Sequence, residues 1–374
     1  MIILDLIVGA RPNFMKIAPV IRAIHSHNQQ LNTDCGHLQT IKYRLVHTGQ
    51  HYDRNMSGSF FDELGIPEPD VNLNAGSGTQ AEQTSGIMLG YEKLLMQQKP
   101  DLCIVVGDVT STMACAITAR KMLVPVAHVE GGIRSGDMTM PEEINRIVTD
   151  SITDYFFTTS ETANENLRKS GVDHNSIFFV GNTMIDTLLA SRPRFVKPDL
   201  YSKLDLKDKG YIVLTLHRPN NVDDPDNLRR LLDEIADSSN GLIMIFPVHP
   251  RTRRVIDSFT GPVSPLLHIT EPMGYLEFNY LVEHSKAVIT DSGGITEETT
   301  VMGVPCMTLR DSTERPETVT LGTNELLGTN PDAIAPAMQR LLSGQWKRGT
   351  VPPLWDGHTA GRIIDIICKL FPLT

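Results

Sequence analysis

"MIILDLIVGARPNFMKIAPV", residues 1–20, decides the fold. The apolar run "MIILDLIV" ends at Gly9, and a helical pattern begins within a few residues. A buried strand, a glycine turn and a helix form the opening of a nucleotide-binding α/β unit. Such openings ordinarily carry several glycines, so that backbone N–H groups can approach a phosphate. This turn holds one, Gly9, and the groups suited to an anion are the side chains of Arg11 and Lys16.

The same alternation continues. "YRLVHTG", "LCIVVGD", "VPVAHVEGG", "DYFFTTS" and "SIFFVGN" read as strands, with helical stretches at residues 80–97 and 110–122 between them. After position 210 the pattern restarts with "YIVLTLH", "LIMIFPVHP", "LLHITEP", "AVITDSG" and "VPCMTLR". Strands that alternate with helices build parallel sheets covered on both faces. The expected class is α/β, with two Rossmann-like domains, 1–185 and 186–359. The proline- and charge-rich stretch "DTLLASRPRFVKPDLYSKLDLKDKG" is the connection between them. The amphipathic segment 360–374 is expected to pack back towards the first domain.

Bulk properties narrow the function. A chain of 374 residues exceeds one compact core. Its net charge of −10 argues against nucleic acid as the partner, while leaving room for a small anion in a local basic pocket. The five cysteines are scattered without a CxxC, so buried thiols are expected rather than disulfides or a metal site. Neither a leader peptide nor an apolar run of about 18–20 residues is evident, so a soluble cytoplasmic chain is expected.

In open α/β sheets ligands bind beyond the carboxyl ends of the strands. The polar clusters of this chain fall there: Gly9–Lys16, "HTGQHYD" (47–53), "GDVTST" (107–112), "HVEGGIRSGDMTMPEEINR" (128–146), "TLHRPNN" (215–221), "PVHPR" (247–251), "TDSGGITEE" (290–298) and "RDSTERPE" (310–317). "TDSGGITEE" ends a strand at Asp291 and starts a helix around Ile295, a place for a diphosphate on Ser292, Gly293 and Gly294. Glu297 or Glu298 would instead meet sugar hydroxyls. The alternative is a glycine turn with an acidic first helical turn. Arg11 and Lys16 read either as phosphate ligands or as a salt-bridged interface, and His217 as a cleft donor or a structural histidine. Asp108, Glu130 and Glu142, beside Arg134 and Arg146, are acid–base candidates, because burial and neighbouring arginines pull carboxyl pKa values apart. Glu142 and Glu143 also fit an ordinary acidic helix start after Pro141. GxSxG, HExxH, Walker A and GxGxxG are all missing, so serine hydrolase, zincin, ATP and NAD readings lack support.

Taken in order, "GARPNFMKIAPV", "HTGQHYD", "GDVTST", "HVEGGIRSGD…PEEINR", "VGNTMIDT", "TLHRPNN", "TDSGGITEE" and "TERPE" resemble the UDP-N-acetylglucosamine 2-epimerase family, in its non-hydrolysing bacterial and archaeal branch. The resemblance implies a GT-B fold, two Rossmann-like domains facing across a cleft. It implies elimination of UDP to a 2-acetamidoglucal and its re-addition, for surface polysaccharide synthesis. Asp108, Glu130, Glu142 and His217 are then catalytic. Arg11, Lys16, Arg134, Arg146, Phe278, Ser292, Gly293, Gly294, Glu298 and Arg315 bind substrate, with Phe278 near uracil and Glu298 on ribose. The family implies no metal, no redox cofactor, a UDP-sugar as ligand and a homodimer. Some members bind a second UDP-N-acetylglucosamine, for which Gln50, His51, Arg218 and His249 are the candidates. Asn220 stands where the family has a glutamate.

Overall fold

The computed structural model describes residues 1–31, 39–49 and 63–372. The chain divides into two compact units, Met1–Ala190 with Pro353–Thr374, and Ser191–Pro352.

The first unit holds a seven-stranded sheet in the order β3-β2-β1-β4-β5-β6-β7. Its strands are β1 (Ile2–Val8), β2 (Ile41–His47), β3 (Val71–Asn72), β4 (Leu102–Val106), β5 (Val126–Val129), β6 (Tyr155–Thr158) and β7 (Ile177–Phe179). Every pairing is parallel. The α/β class expected from the alternation is the one found. Parallel strands are covered on both faces, and β4 accordingly reads LCIVV with each residue buried. The short β3 carries too few residues for a period to show in the sequence.

The second unit repeats the arrangement, with a six-stranded parallel sheet ordered β10-β9-β8-β11-β12-β13. These are β8 (Tyr211–Thr215), β9 (Ile243–Pro247), β10 (Leu267–Thr270), β11 (Ala287–Thr290), β12 (Cys306–Thr308) and β13 (Asn324–Leu326). Alternate residues of each strand feed opposite cores. Ile212, Leu214, Met244, Phe246 and Ile289 pack with Leu228, Leu232 and Met338 on one face. Tyr211, Val213, Ile245 and Val288 pack with Leu281 and Val282 on the other.

In each sheet the strand order reverses about the first strand, between β1 and β4 and again between β8 and β11. Helices leave such adjacent strands on opposite faces, which opens a crevice at the carboxyl ends. Those two switch points locate the candidate groups described below.

The return of the chain to the first unit is tied down by polar contacts. Asp186 accepts from the backbone N–H groups of Thr359 (3.1 Å) and Ala360 (2.7 Å), capping the Thr359–Leu370 helix. Trp355 is buried and its Nε1 donates to the Thr159 carbonyl at 3.0 Å. Cys103, Cys115 and Cys306 are buried free thiols, and Cys35 lies outside the described residues. No helix among the described residues is long and apolar enough to cross a membrane.

Gly9 has a packing cause. A Cβ there would lie 1.7 Å from Ser111 Oγ and 3.0 Å from Thr48 Oγ1. Those hydroxyls bond each other at 2.9 Å behind the turn. Gly9→Ala is therefore expected to cost about 1–2 kcal/mol, as overpacking does. Ser111→Gly in the same background should restore part of the loss in chemical denaturation; no recovery would refute this cause.

Candidate functional site

At the β1/β4 crevice the first turn is organised by Asn13. Its Oδ1 accepts from the N–H groups of Gly9 (3.2 Å) and Ala10 (3.0 Å), and its Nδ2 donates to the Val106 carbonyl (3.0 Å). This fixes the start of the Arg11–Leu31 helix against β4 and directs Lys16 inward. Lys16 Nζ meets Glu130 Oε2 at 2.6 Å, with both side chains buried. Gly107, at the end of β4, has φ +65°, and a Cβ on it would stand 3.0 Å from Lys16 Nζ. Glu130 itself has φ +72°, a rare conformation for a residue with a side chain. Such backbone persists only where surrounding contacts impose it, and it gathers at functional sites. Arg11 is exposed at the first helical position.

Beside this pair, Asp108 Oδ2 accepts from Arg146 Nη2 at 2.5 Å. Arg146 is buried while the Asp108 side chain keeps 31 % of its surface exposed. Arg146 also donates to Glu143 Oε2 at 2.7 Å. Glu143 in turn accepts from the N–H groups of Ser135 (2.9 Å) and Gly136 (3.1 Å). Burial raises its pKa, but the Ser135, Arg146 and Gly136 hydrogen bonds outweigh it and hold the carboxyl below its ordinary value. Glu142 is half-buried on the first turn of the same helix, Pro141–Ile152. Arg134 donates to Asp150 Oδ2 at 2.6 Å and to the Ile133 carbonyl at 2.7 Å. It thus stabilises the 130–134 loop from within.

The β8/β11 crevice of the second unit is centred on Asp291, which is fully buried. Its carboxylate accepts from the backbone N–H of His217 (3.0 Å) and Arg218 (2.9 Å) and from Asn221 Nδ2 (3.1 Å). His217 Nδ1 sits 2.8 Å from Asp291 Oδ1, while just over half of the imidazole side chain remains exposed. Burial raises the Asp291 pKa, yet the His217 contact and the N–H donors prevail and lower it overall. The arrangement orients one ring nitrogen inward and presents the rest of the imidazole at the crevice.

Ser292 is the N-cap of the Gly293–Met302 helix, which starts at Gly293 rather than near Ile295. Its side chain makes no capping bond, so it does not occupy the first-turn N–H groups, which carry the partial positive end of the helix. Arg310 and Glu314, doubly hydrogen-bonded at 2.7 and 2.8 Å, stand 3.8 Å from where a Gly293 Cβ would be. Further along the helix Glu298 is buried and accepts from the Tyr275 hydroxyl at 2.7 Å. Burial pushes its carboxyl up to about 7, with Glu297 adding to the rise and Tyr275 opposing it. Arg315 is buried against Glu297. Next to these groups, Thr215, Leu216, His217, Pro247, His249 and Phe278 are among the residues lining a cavity of about 240 Å³. His249 also caps the Pro250–Asp257 helix through Arg251 N–H.

The sequence matches the UDP-N-acetylglucosamine 2-epimerase family over residues 34–368. The chain belongs to that family. It is 40 % identical to the UDP-N-acetylglucosamine 2-epimerase of Methanocaldococcus jannaschii, across 97 % of this chain and 98 % of that one. It is 38 % identical to the UDP-2,3-diacetamido-2,3-dideoxy-D-glucuronate 2-epimerase of Pseudomonas aeruginosa, across 97 % and 99 %. The crystal structure of the Methanocaldococcus jannaschii UDP-GlcNAc 2-epimerase in complex with UDP-GlcNAc and UDP superposes with a TM-score of 0.83, covering 98 % of this chain and 99 % of that one.

Seen as an epimerase-family chain, the fold brings Lys16, Glu130, Asp108 and Arg146 to the first crevice. It gathers His217, Ser292, Gly293 and Phe278 about the second. Gln50 and His51 lie outside the described residues. Arg218 turns to the Asp291 carbonyl through Nε at 3.2 Å and lies 3.8 Å from Glu314. Asp291, Tyr275, Arg310 and Glu143 hold the site together through contacts that no sequence motif assigns to them. Asp291 carried a signal, since it is the last residue before the glycines at a strand end. Tyr275 carried none, because its partner Glu298 is set only by tertiary packing.

Proposed function

We propose that this chain interconverts UDP-N-acetylglucosamine and UDP-N-acetylmannosamine without net hydrolysis. Family membership supports this, and so does the grouping of Asp108 and Glu130 at one switch point with cations holding both. In this reading a carboxylate takes the proton from C2 while the C1–O bond breaks and UDP departs with the electron pair. The resulting 2-acetamidoglucal is protonated at C2 from its other face, and UDP adds back at C1. Asp108, Glu130 and Glu142 are the proton-transfer candidates. His217, Arg11 and Lys16 would stabilise charge on the leaving diphosphate, and the N–H groups at Ser292, Gly293 and Gly294 would hold it. Arg134, Arg146 and Arg315 support the site through their carboxylate partners, Phe278 would meet uracil and Glu298 the ribose. Arg218 and His249 would serve a second nucleotide-sugar site, and the product would feed surface polysaccharide synthesis from the cytoplasm, by a homodimer.

A second reading is favoured by one observation, the near-equal identity to the diacetamido-glucuronate epimerase. Incubation in D2O with each UDP-sugar separately tests both, read by NMR. Intact UDP-N-acetylmannosamine with deuterium at C2 is expected. Free N-acetylmannosamine would establish a hydrolysing enzyme instead, and exchange confined to the uronic-acid substrate would establish the second reading.

A further inference from the structure

Asp108 and Glu130, two of the carboxylates proposed to move protons, sit at strand ends, yet the bonds that fix those ends converge on the Pro141–Ile152 helix. Glu143, Arg146 and Asp150 are spaced i, i+3 and i+7, so they share one face, and all are buried. Arg146 holds Asp108, and Asn145 Nδ2 adds a bond to the Asp108 carbonyl at 2.9 Å. Glu143 holds Ser135 and Gly136, while Asp150 accepts from Gly132 N–H at 3.0 Å and from Arg134.

His128, on β5, ties this frame to the end of β4. Its Nε2 donates to the Gly107 carbonyl at 2.8 Å, and its Nδ1 lies 2.7 Å from Asp150 Oδ1. The ring is fully buried. Gly107 immediately precedes Asp108, and His128 stands two residues before Glu130. Glu130 has a positive φ that neighbouring contacts must hold in a residue with a side chain, whereas Gly107 turns through positive φ without strain.

We propose that His128 is a positioning residue: seated between Gly107 and Asp150, its imidazole keeps Asp108 and Glu130 in mutual register for proton transfer. This rests on the reading of Asp108 as a proton-transfer group. His128 does not touch the sugar; it sets where the carboxylates stand. A displacement near 1 Å lowers an enzymatic rate by about 10²-fold.

The test is a double-mutant cycle in the full chain, with turnover of UDP-N-acetylglucosamine, UDP affinity by calorimetry and thermal unfolding measured together. His128→Gln is expected to lower kcat by about 10–10²-fold, with KM and UDP affinity within about threefold of the parent. In an Asp108→Asn background it should add less than about threefold, because the register between Asp108 and Glu130 that it keeps has already lost one of its two members. Full multiplication of the two losses would overturn the proposal, as would near-parental turnover of His128→Gln. If Asp108→Asn alone turns over like the parent, the underlying reading has failed and the bridge falls with it. Should His128→Gln not fold, Asp150→Asn enters the same cycle, since its amide cannot accept from His128, Gly132 and Arg134 together. If neither variant folds, the pair is a folding element and the proposal is overturned.

Discussion

Asp108→Asn is expected to lower turnover by about 10²–10⁴-fold, the usual worth of a general acid or base, while leaving UDP affinity near parental. The asparagine matches the carboxylate in shape, and its Oδ1 can still accept from Arg146, which also donates to Glu143. Local packing is therefore kept and the proton-transfer capacity is removed. In the proposed reading UDP is held chiefly by groups of the second unit, Ser292, Gly293, Glu298 and Phe278, whereas Asp108 belongs to the first. Steady-state kinetics paired with UDP calorimetry gives the answer. A parallel loss of UDP affinity would strike Asp108 from the proton-transfer candidates and make it part of a binding lattice.

Glu130 calls for a different expectation, because its Oε2 and Lys16 Nζ form a buried pair. Removing one partner of such a pair leaves an uncompensated charge, and that alone costs about 3–5 kcal/mol. A Glu130 variant would confuse folding with catalysis, so Asp108, with its exposed edge, is the cleaner probe.

The residues differ in how far they could be read in advance. Strand–helix alternation is written locally in runs such as "LCIVV" and "YIVLT", so the parallel α/β class was legible. The rule that ligands meet strand ends then pointed to residues at both crevices. What each residue does there was not legible, because the contacts span long separations: Lys16 and Glu130 are 114 positions apart, and His217 and Asp291 are 74 apart. The turn at Gly9 shows the same limit. A glycine after a strand suggests a sharp bend, but the packing cause is the close approach of Ser111, on the Thr110–Lys121 helix about 100 positions further along the chain. Glu142 and Glu143 look alike in sequence. The structure separates them: Glu143 is buried and bonded to Ser135, Gly136 and Arg146, while Glu142 on the same turn is only half-buried.

Glu298 carries the second large effect. Its folded-state pKa is raised to about 7, chiefly by burial, from an ordinary value of 4.5. Below the ordinary value both folded and unfolded chains hold the proton. Between about 4.5 and 7 the unfolded chain has released it and the folded chain has not, so stability falls as pH rises through that window. Two to three pKa units correspond to about 3 kcal/mol, lost by pH 8 and present at pH 4.5. Glu298→Gln keeps a group that accepts from Tyr275 and removes the titration. The variant should therefore gain on the parent by about 3 kcal/mol between pH 4.5 and 8 in urea denaturation, other titrating groups cancelling in the comparison. Parallel curves for the two proteins would mean that the folded carboxyl is already ionised across the range. The same shift reaches ligand binding. If ribose hydroxyls donate to Glu298, they favour the carboxylate, so UDP binding near pH 6 should release a proton into the buffer. Calorimetry in buffers of different ionisation enthalpy reads that proton directly, and its absence in Glu298→Gln assigns it to this side chain.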